Sequence, residues 1–123
     1  MADQWPTEIR LSKDRRTLTV GFDNGESHAL SAEYLRVFSP SAEVQGHSAE
    51  QRVTVGGKAA VEILKVEPVG NYAVRLQFDD LHNTGIFTWG YLLTLGREQG
   101  ERWASYLEEL KTKSLSREPP KRR

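Results

Sequence analysis

One short segment carries the side chains best suited to chemistry in this sequence. Asp79, Asp80 and His82 stand together there, followed by an Asn-Thr-Gly run. A carboxylate pair beside a histidine is suited to holding a divalent metal ion or to acting as a general base. The alternative is a polar turn whose side chains only satisfy the backbone, and spacing alone favours that alternative.

The other two histidines carry weaker signals. His47 lies in a polar, glycine-containing stretch over residues 41–57, where a solvated side chain and a role in binding both remain open. His28 lies in the return strand of a predicted hairpin. With a two-residue Asn-Gly loop, His28 faces away from Phe22 and is expected to point to solvent.

Composition excludes several classes of site. The 123 residues include no cysteine, which excludes disulfides, thiolate metal ligands and a thiol nucleophile. The chain has 17 cationic side chains (Lys and Arg) and 17 anionic ones (Asp and Glu). Because there is no excess of positive charge, the composition does not predict binding to nucleic acid or to an anionic membrane. Neither a phosphate-binding glycine loop nor a Gly-x-Ser-x-Gly motif occurs. Residues 1–6 lack a signal-peptide pattern, and a cytoplasmic protein without enzymatic activity is expected.

Alternating apolar residues predict the strands that must position these side chains. Six strands are expected, over residues 7–11, 16–22, 26–30, 61–69, 72–78 and 84–89. Asn24-Gly25 predicts a tight hairpin between the second and third strands. In the fifth strand, the side chains expected to face inward are Tyr72, Val74, Leu76 and Phe78.

Three helices complete the predicted α+β fold. Ser31 is a candidate N-cap for a short helix after the first hairpin, with Leu30 and Leu35 placed as a hydrophobic staple. A second short helix starts at Trp89 and is expected to stop at Gly96. A longer amphipathic helix over residues 98–113 carries one apolar stripe, formed by Trp103, Tyr106, Leu107 and Leu110.

The expected architecture is a mostly antiparallel β-sheet with the C-terminal helix packed on or beside it. Residues 1–113 are predicted to form one domain. Residues 114–123 contain two prolines and four cationic side chains with little to bury, and they are predicted to form a disordered basic tail.

Two longer segments resemble a known family. Residues 35–47 read Leu-Arg-Val-Phe-Ser-Pro-Ser-Ala-Glu-Val-Gln-Gly-His, and residues 78–92 read Phe-Asp-Asp-Leu-His-Asn-Thr-Gly-Ile-Phe-Thr-Trp-Gly-Tyr-Leu. In this order, after an Asp-Asn-Gly hairpin, they resemble the gamma-butyrobetaine hydroxylase-like N-terminal domain family. The resemblance extends over about residues 7–110.

The resemblance implies an accessory role. Domains of this family precede the catalytic domain of gamma-butyrobetaine and trimethyllysine dioxygenases, are attached to ATP-dependent iron–sulfur cluster carriers, and occur as short standalone bacterial proteins. The chain resembles the standalone kind and lacks the oxygenase domain. The resemblance therefore implies a binding module that assists iron–sulfur cluster or metalloprotein assembly, with a cluster carrier or metalloprotein as its protein partner.

The resemblance also implies that a zinc site has been lost. In the dioxygenases this domain binds zinc through three cysteines and one histidine. The cysteine positions correspond to Ser39, Ser41 and Val44, and the histidine corresponds to His82. Serine hydroxyls are poor zinc ligands at neutral pH and valine is no ligand, so the inherited sulfur site cannot form.

Two alternative functions remain open. The first is weak binding of iron or zinc by His82, His47, Asp79 and Glu43, if the polar loop folds back on the turn. The second is a small-molecule pocket near Trp89 and Tyr91, which a deep pocket lined by His82 and Arg36 would support. Aromatic residues at the start of an apolar helix are, however, more typical of a core.

Overall fold

Two antiparallel sheets and three helices form the part of the chain that the computed structural model describes, which is residues 5–40, 56–80 and 85–118. The first sheet contains, in spatial order, β1 (Pro6–Leu11), β2 (Thr17–Phe22) and β3 (Ser27–Ser31). The second contains β4 (Ile63–Val69), β5 (Ala73–Phe78) and β6 (Gly85–Thr88). The helices are α1 (Ala32–Val37), α2 (Trp89–Arg97) and α3 (Gln99–Thr112). The predicted α+β fold is confirmed, with its antiparallel strands divided between two sheets.

The loop of the first hairpin is one residue longer than its Asn-Gly pair predicts. Phe22 N donates to Glu26 O at 2.8 Å, and Gly25, at a φ of 91°, donates to Phe22 O at 3.1 Å. Glycine adopts this positive φ without the steric cost that a side chain brings. The extra residue shifts the pairing of β3 by one position, and such a shift turns every side chain to the opposite face. His28 therefore lies opposite Val20, and the prediction that it points to solvent is wrong.

His28 instead packs between the first sheet and α2, where its side chain is 20% exposed. A Cβ atom on Gly96 would lie under 3.0 Å from three side-chain atoms of His28, so only glycine permits this approach. His28 Nε2 is 2.9 Å from Glu26 Oε1, and Arg97 donates Nε and Nη2 to the same carboxylate. Hydrogen bonds from Arg97, and then from His28, lower the pKa of Glu26 to about 2.

One hydrophobic core joins both sheets and all three helices. Its largest fully buried side chains include Tyr34, Tyr106, Phe78, Phe87, Leu18 and Leu30. The Tyr34 hydroxyl donates to Leu95 O at 2.7 Å, which gives this buried polar group a partner and ties α1 to α2. Burial raises the pKa of Tyr34 to about 12.

Two side chains predicted to face inward are exposed. Tyr72 is 53% exposed because Val69 pairs directly with Ala73, which places Tyr72 in a three-residue turn outside β5. The three later members of its set, Val74, Leu76 and Phe78, are buried as predicted. Leu107 is 41% exposed at the edge of the α3 stripe, whereas Tyr106 is fully buried.

Side-chain caps start the first two helices. Ser31 Oγ accepts from Tyr34 N at 3.0 Å, which confirms the predicted N-cap of α1. Thr88 Oγ1 accepts from Tyr91 N at 3.2 Å and caps α2 in the same way. The α2 helix continues one residue past Gly96, where the sequence predicts a stop. No helix in the described part of the chain is long and apolar enough to cross a membrane.

Gly96→Ala is expected to lower the free energy of unfolding by about 1–3 kcal/mol, the range for an overpacked contact. In a His28→Ala background the same substitution should cost less, because the ring atoms are gone and only the Cβ contact of residue 28 remains. Chemical denaturation of the four proteins measures this coupling. Equal costs in the two backgrounds would contradict the packing of His28 on Gly96.

Candidate functional site

Most of the residues proposed from the sequence as metal ligands lie outside the described part of the chain. These are His82, His47 and Glu43, together with the family cysteine positions Ser41 and Val44. Asp79 and Ser39 are described, and they show what surrounds the candidate site.

Asp79 closes the end of the second sheet. Its backbone N–H donates to Glu62 O at 2.9 Å, and its Oδ1 accepts from Glu62 N at 3.2 Å. Both bonds join Asp79 to the residue before β4, so they extend the pairing of β4 with β5 beyond Ile63 and Phe78. No group of three or more metal-ligating side chains occurs among residues 5–40, 56–80 and 85–118. The weak metal site with Asp79 as a ligand therefore stays a prediction.

Asp80 is the centre of an ion-pair cluster that joins three separate segments. Arg36 Nε donates to Asp80 Oδ2 at 2.7 Å, and Lys58 Nζ lies 2.6 Å from the same oxygen. The side chain of Arg36 is only 12% exposed, that of Lys58 22% and that of Asp80 17%. Solvent therefore screens the attraction between these charges weakly. Arg36 comes from the last turn of α1, Lys58 precedes β4, and Asp80 follows β5. We call these three residues the Asp80 cluster.

The Asp80 cluster has one incompletely satisfied member. Arg36 Nη1 is buried and has no hydrogen-bond acceptor among the residues that the structure describes. Sequence reasoning identified Asp80 as a candidate but missed both cations as its partners. The linear sequence carries no signal for them, because each lies in a different segment and only folding brings them together.

Ser39, at the first family cysteine position, is fully buried. A Cβ atom on Gly85 would lie under 3.0 Å from Ser39 Oγ, so the residue after α1 is packed directly against the start of β6. The hydroxyl of Tyr91, in the first turn of α2, donates to Phe38 O at 2.5 Å and ties the residues after α1 to α2. The fold thus brings the first cysteine position next to the strand that follows His82, as a shared site requires.

The donor set here does not fit the zinc site that the family resemblance implies. Ser39 offers a hydroxyl where a thiolate is required, and a serine hydroxyl binds zinc poorly at neutral pH. No metal chemistry is derived for this position.

An apolar groove lies near Trp89, where the sequence predicts a small-molecule pocket. Its volume is about 540 Å³, and it is lined by Ile9, Leu11, Leu64, Lys65, Val66, Pro68, Val74 and Trp89. The indole Nε1 of Trp89 donates to Asn71 O at 2.9 Å, which fixes the ring. Arg36 and Tyr91 are not among the residues that line this groove, and a pocket lined by His82 and Arg36 stays a prediction because His82 lies outside the described residues. Tyr91 packs on Phe87 instead, at a ring distance of 6.0 Å.

Comparison with known proteins gives the same family as the two sequence segments. The profile of the family described as gamma-butyrobetaine hydroxylase-like, N-terminal, matches residues 9–93. Two protein structures determined by NMR in solution are similar to this chain. The first is 45% identical in sequence, with a TM-score of 0.84, and the match covers 98% of this chain and 95% of that protein. The second is 44% identical, with a TM-score of 0.81, and the match covers 98% of this chain and 90% of that protein. No functionally curated protein matches the chain.

A crystal structure from Acidithiobacillus ferrooxidans ATCC 23270 is also similar. That protein is 43% identical in sequence, with a TM-score of 0.61, and the match covers 74% of this chain and 91% of that protein. That protein is described as having unknown function and as belonging to the DUF971 family. The similarity therefore supports the fold and the family and carries no activity.

Gly85→Ala is expected to destabilise the protein by about 1–3 kcal/mol, because its Cβ would overlap the buried Ser39 hydroxyl. A Ser39→Ala background should relieve most of this cost, since the next contact, with Phe87 Cε1, is 3.1 Å away. Thermal or chemical unfolding of the single and double variants tests the contact. If Ser39→Ala left the cost of Gly85→Ala unchanged, the two segments would not be packed as described.

Proposed function

We propose that this chain, which belongs to the gamma-butyrobetaine hydroxylase-like N-terminal family, is a non-enzymatic accessory module that assists iron–sulfur cluster or metalloprotein assembly by binding a protein partner. The observation that carries the proposal is the chemistry around Ser39. A buried hydroxyl stands at the first family cysteine position, where the zinc site of the family needs a thiolate.

The state of Asp80 supports a non-catalytic role. A general base needs a carboxylate that is free to take a proton from a substrate. Both Arg36 and Lys58 contact the same oxygen of Asp80, so two cations from other segments already engage that oxygen. The Asp80 cluster is thus built to join segments of the fold rather than to transfer protons.

The family setting supports a protein partner. The sequence resembles domains that are attached to oxygenases or to iron–sulfur cluster carriers, so this domain is expected to act beside a metalloprotein. The Asp80 cluster offers a partner a rigid, charged face, because its side chains retain 12% to 22% exposure and are fixed by each other. Charged groups held in place in this way give a protein interface its specificity.

The full chain, used as bait in anaerobic extract of its source cells, is expected to recover a metalloprotein or a cluster carrier. Asp80→Asn should lower that recovery about tenfold, the effect of losing roughly one charged hydrogen bond. Glu67→Gln, an exposed carboxylate on β4, is the matched control and should bind like the native chain. Quantitative mass spectrometry of the recovered proteins provides the measurement.

Two results would reject the accessory role. One is recovery of no metalloprotein or cluster carrier, together with unchanged cluster-enzyme activities in a deletion strain. The other is stoichiometric iron or zinc in untagged protein, with NMR shifts at His47 and His82 on titration. That second result would favour the metal-ion alternative.

A second candidate function is supported by the apolar groove. Its volume of about 540 Å³ falls in the range of small-molecule sites. It lies between β1 and β4, each of which pairs with only one described strand, and one cationic side chain, Lys65, lies among its apolar lining. This arrangement suits a small molecule with an apolar chain and an anionic end.

Decanoate is expected to bind in this groove more tightly than decanol, because Lys65 attracts the carboxylate. NMR titration should move the signals of Leu64, Val66 and the Trp89 indole. Leu64→Glu should weaken binding about tenfold through charge repulsion and lost apolar contact. Leu107→Glu is the control, since Leu107 on α3 has a similar exposure, 41% against 44%. Groove signals that stay fixed, or shifts equal in both variants, would remove this candidate.

A further inference from the structure

The residues after α3 turn back across the segment that precedes β4. Ser114 adopts a φ of 56°, and Leu115 N donates to Leu110 O at 2.8 Å. A left-handed residue followed by a bond back to the last helical turn is a common way to end a helix and reverse the chain. Residues 114–118, which we call the C-terminal strap, are therefore directed back onto the body of the protein. Residues 119–123 lie outside the described part of the chain.

Two backbone hydrogen bonds attach the strap on either side of Lys58. Gly57 N donates to Ser116 O at 2.7 Å, and Ala59 N donates to Arg117 O at 2.9 Å. A Cβ atom on Gly56 would lie 2.9 Å from Ser116 O, so this close approach depends on glycine. The peptide units that flank Lys58 are thus held by the strap.

Arg117 anchors the strap to α1. Its Nε and Nη2 donate to the two carboxylate oxygens of Glu33, both at 2.8 Å, and its guanidinium lies 5.3 Å from the centre of the Trp103 ring. The Glu33 side chain is only 6% exposed. A buried carboxylate needs a charged partner, because its desolvation is otherwise uncompensated. The strap supplies that partner, and it does so one helical turn before Arg36.

The strap is nevertheless held mainly by polar contacts. Leu115 is 43% exposed, and the Arg117 side chain is 45% exposed. Segments with few buried apolar contacts open at a lower free energy than the core does. The strap can therefore detach while both sheets remain folded.

We propose that the C-terminal strap is a releasable latch that holds residues 56–59 in place and so keeps Lys58 on Asp80 beside Arg36. When the strap is closed, it holds the Asp80 cluster at two points. Its backbone binds the residues on either side of Lys58, and its Arg117 side chain binds Glu33 of α1, the helix that carries Arg36. Released, it frees Lys58 to move away from Asp80. The C-terminus thereby controls the position of the Lys58 charge on a surface that lies in a different part of the sequence. This inference stands whether or not that surface binds the partner proposed above.

Amide exchange of the full chain, measured by NMR, tests the latch. In Arg117→Ala the amides of Gly57 and Ala59 should exchange at least about tenfold faster, as expected for loss of a bidentate charged contact. The Arg36 Nε–H, which donates to Asp80, should also exchange faster or shift. The amides of Val20 and Leu76, in the centres of the two sheets, should keep the native rates.

Further variants keep the test decisive. Arg117→Lys retains the charge but loses the forked geometry, so it should give an intermediate effect and serves in place of Arg117→Ala if that variant does not fold. Arg10→Ala removes an exposed arginine paired with Glu8 and should change neither amide. Unchanged exchange at Gly57 and Ala59 would overturn the latch. Faster exchange there with an unaltered Arg36 Nε–H would show a local cap without coupling to Asp80, and would overturn it equally.

Discussion

The register of the first hairpin is the constraint on which the other arrangements depend. The three-residue loop that ends at Gly25 places His28 opposite Val20, on the face that meets α2. Ser31, the last residue of β3, is also the N-cap of α1. A slip of one residue would therefore turn His28 outward and rotate the start of α1. Arg36, in the last turn of that helix, would then no longer point toward Asp80.

Local signals predicted much of this fold, and long-range distances explain what they missed. The strands, the Ser31 cap and the α2 start depend on neighbouring residues, and the structure confirms them. The hairpin residues were identified correctly, but Asn-Gly fits a two-residue or a three-residue loop, and only packing on Gly96 distinguishes the two. The prediction that Tyr72 faces inward was wrong for a similar reason, because the turn before β5 contains one more residue than the alternating pattern predicts. The partners of Asp80 lie in separate segments, so no local pattern could indicate them.

Three ion-pair clusters connect the N-terminal hairpin and α1 to the later elements. Glu26 binds Arg97 of α2, Glu33 binds Arg117 of the strap, and the Asp80 cluster joins α1 to the segments around β4 and β5. A chain with equal numbers of cations and anions can pair its partly buried charges in this way without a net excess. Partly buried pairs specify which segments meet, because breaking one leaves a charge without a partner. The charged residues therefore hold together segments that lie far apart in the sequence.

The contacts around the buried Ser39 lie at the first cysteine position of the family's zinc site. A zinc ion bound at the positions of Ser39 and His82 would join the end of α1 to the segment between β5 and β6, as structural zinc sites join separate segments. In this chain the end of α1 is joined to the residues on either side of that segment by the packing of Ser39 on Gly85 and by the pair of Arg36 with Asp80, and to α2 by the bond from Tyr91 to Phe38 O. Contacts of this kind hold the segments together without thiolates.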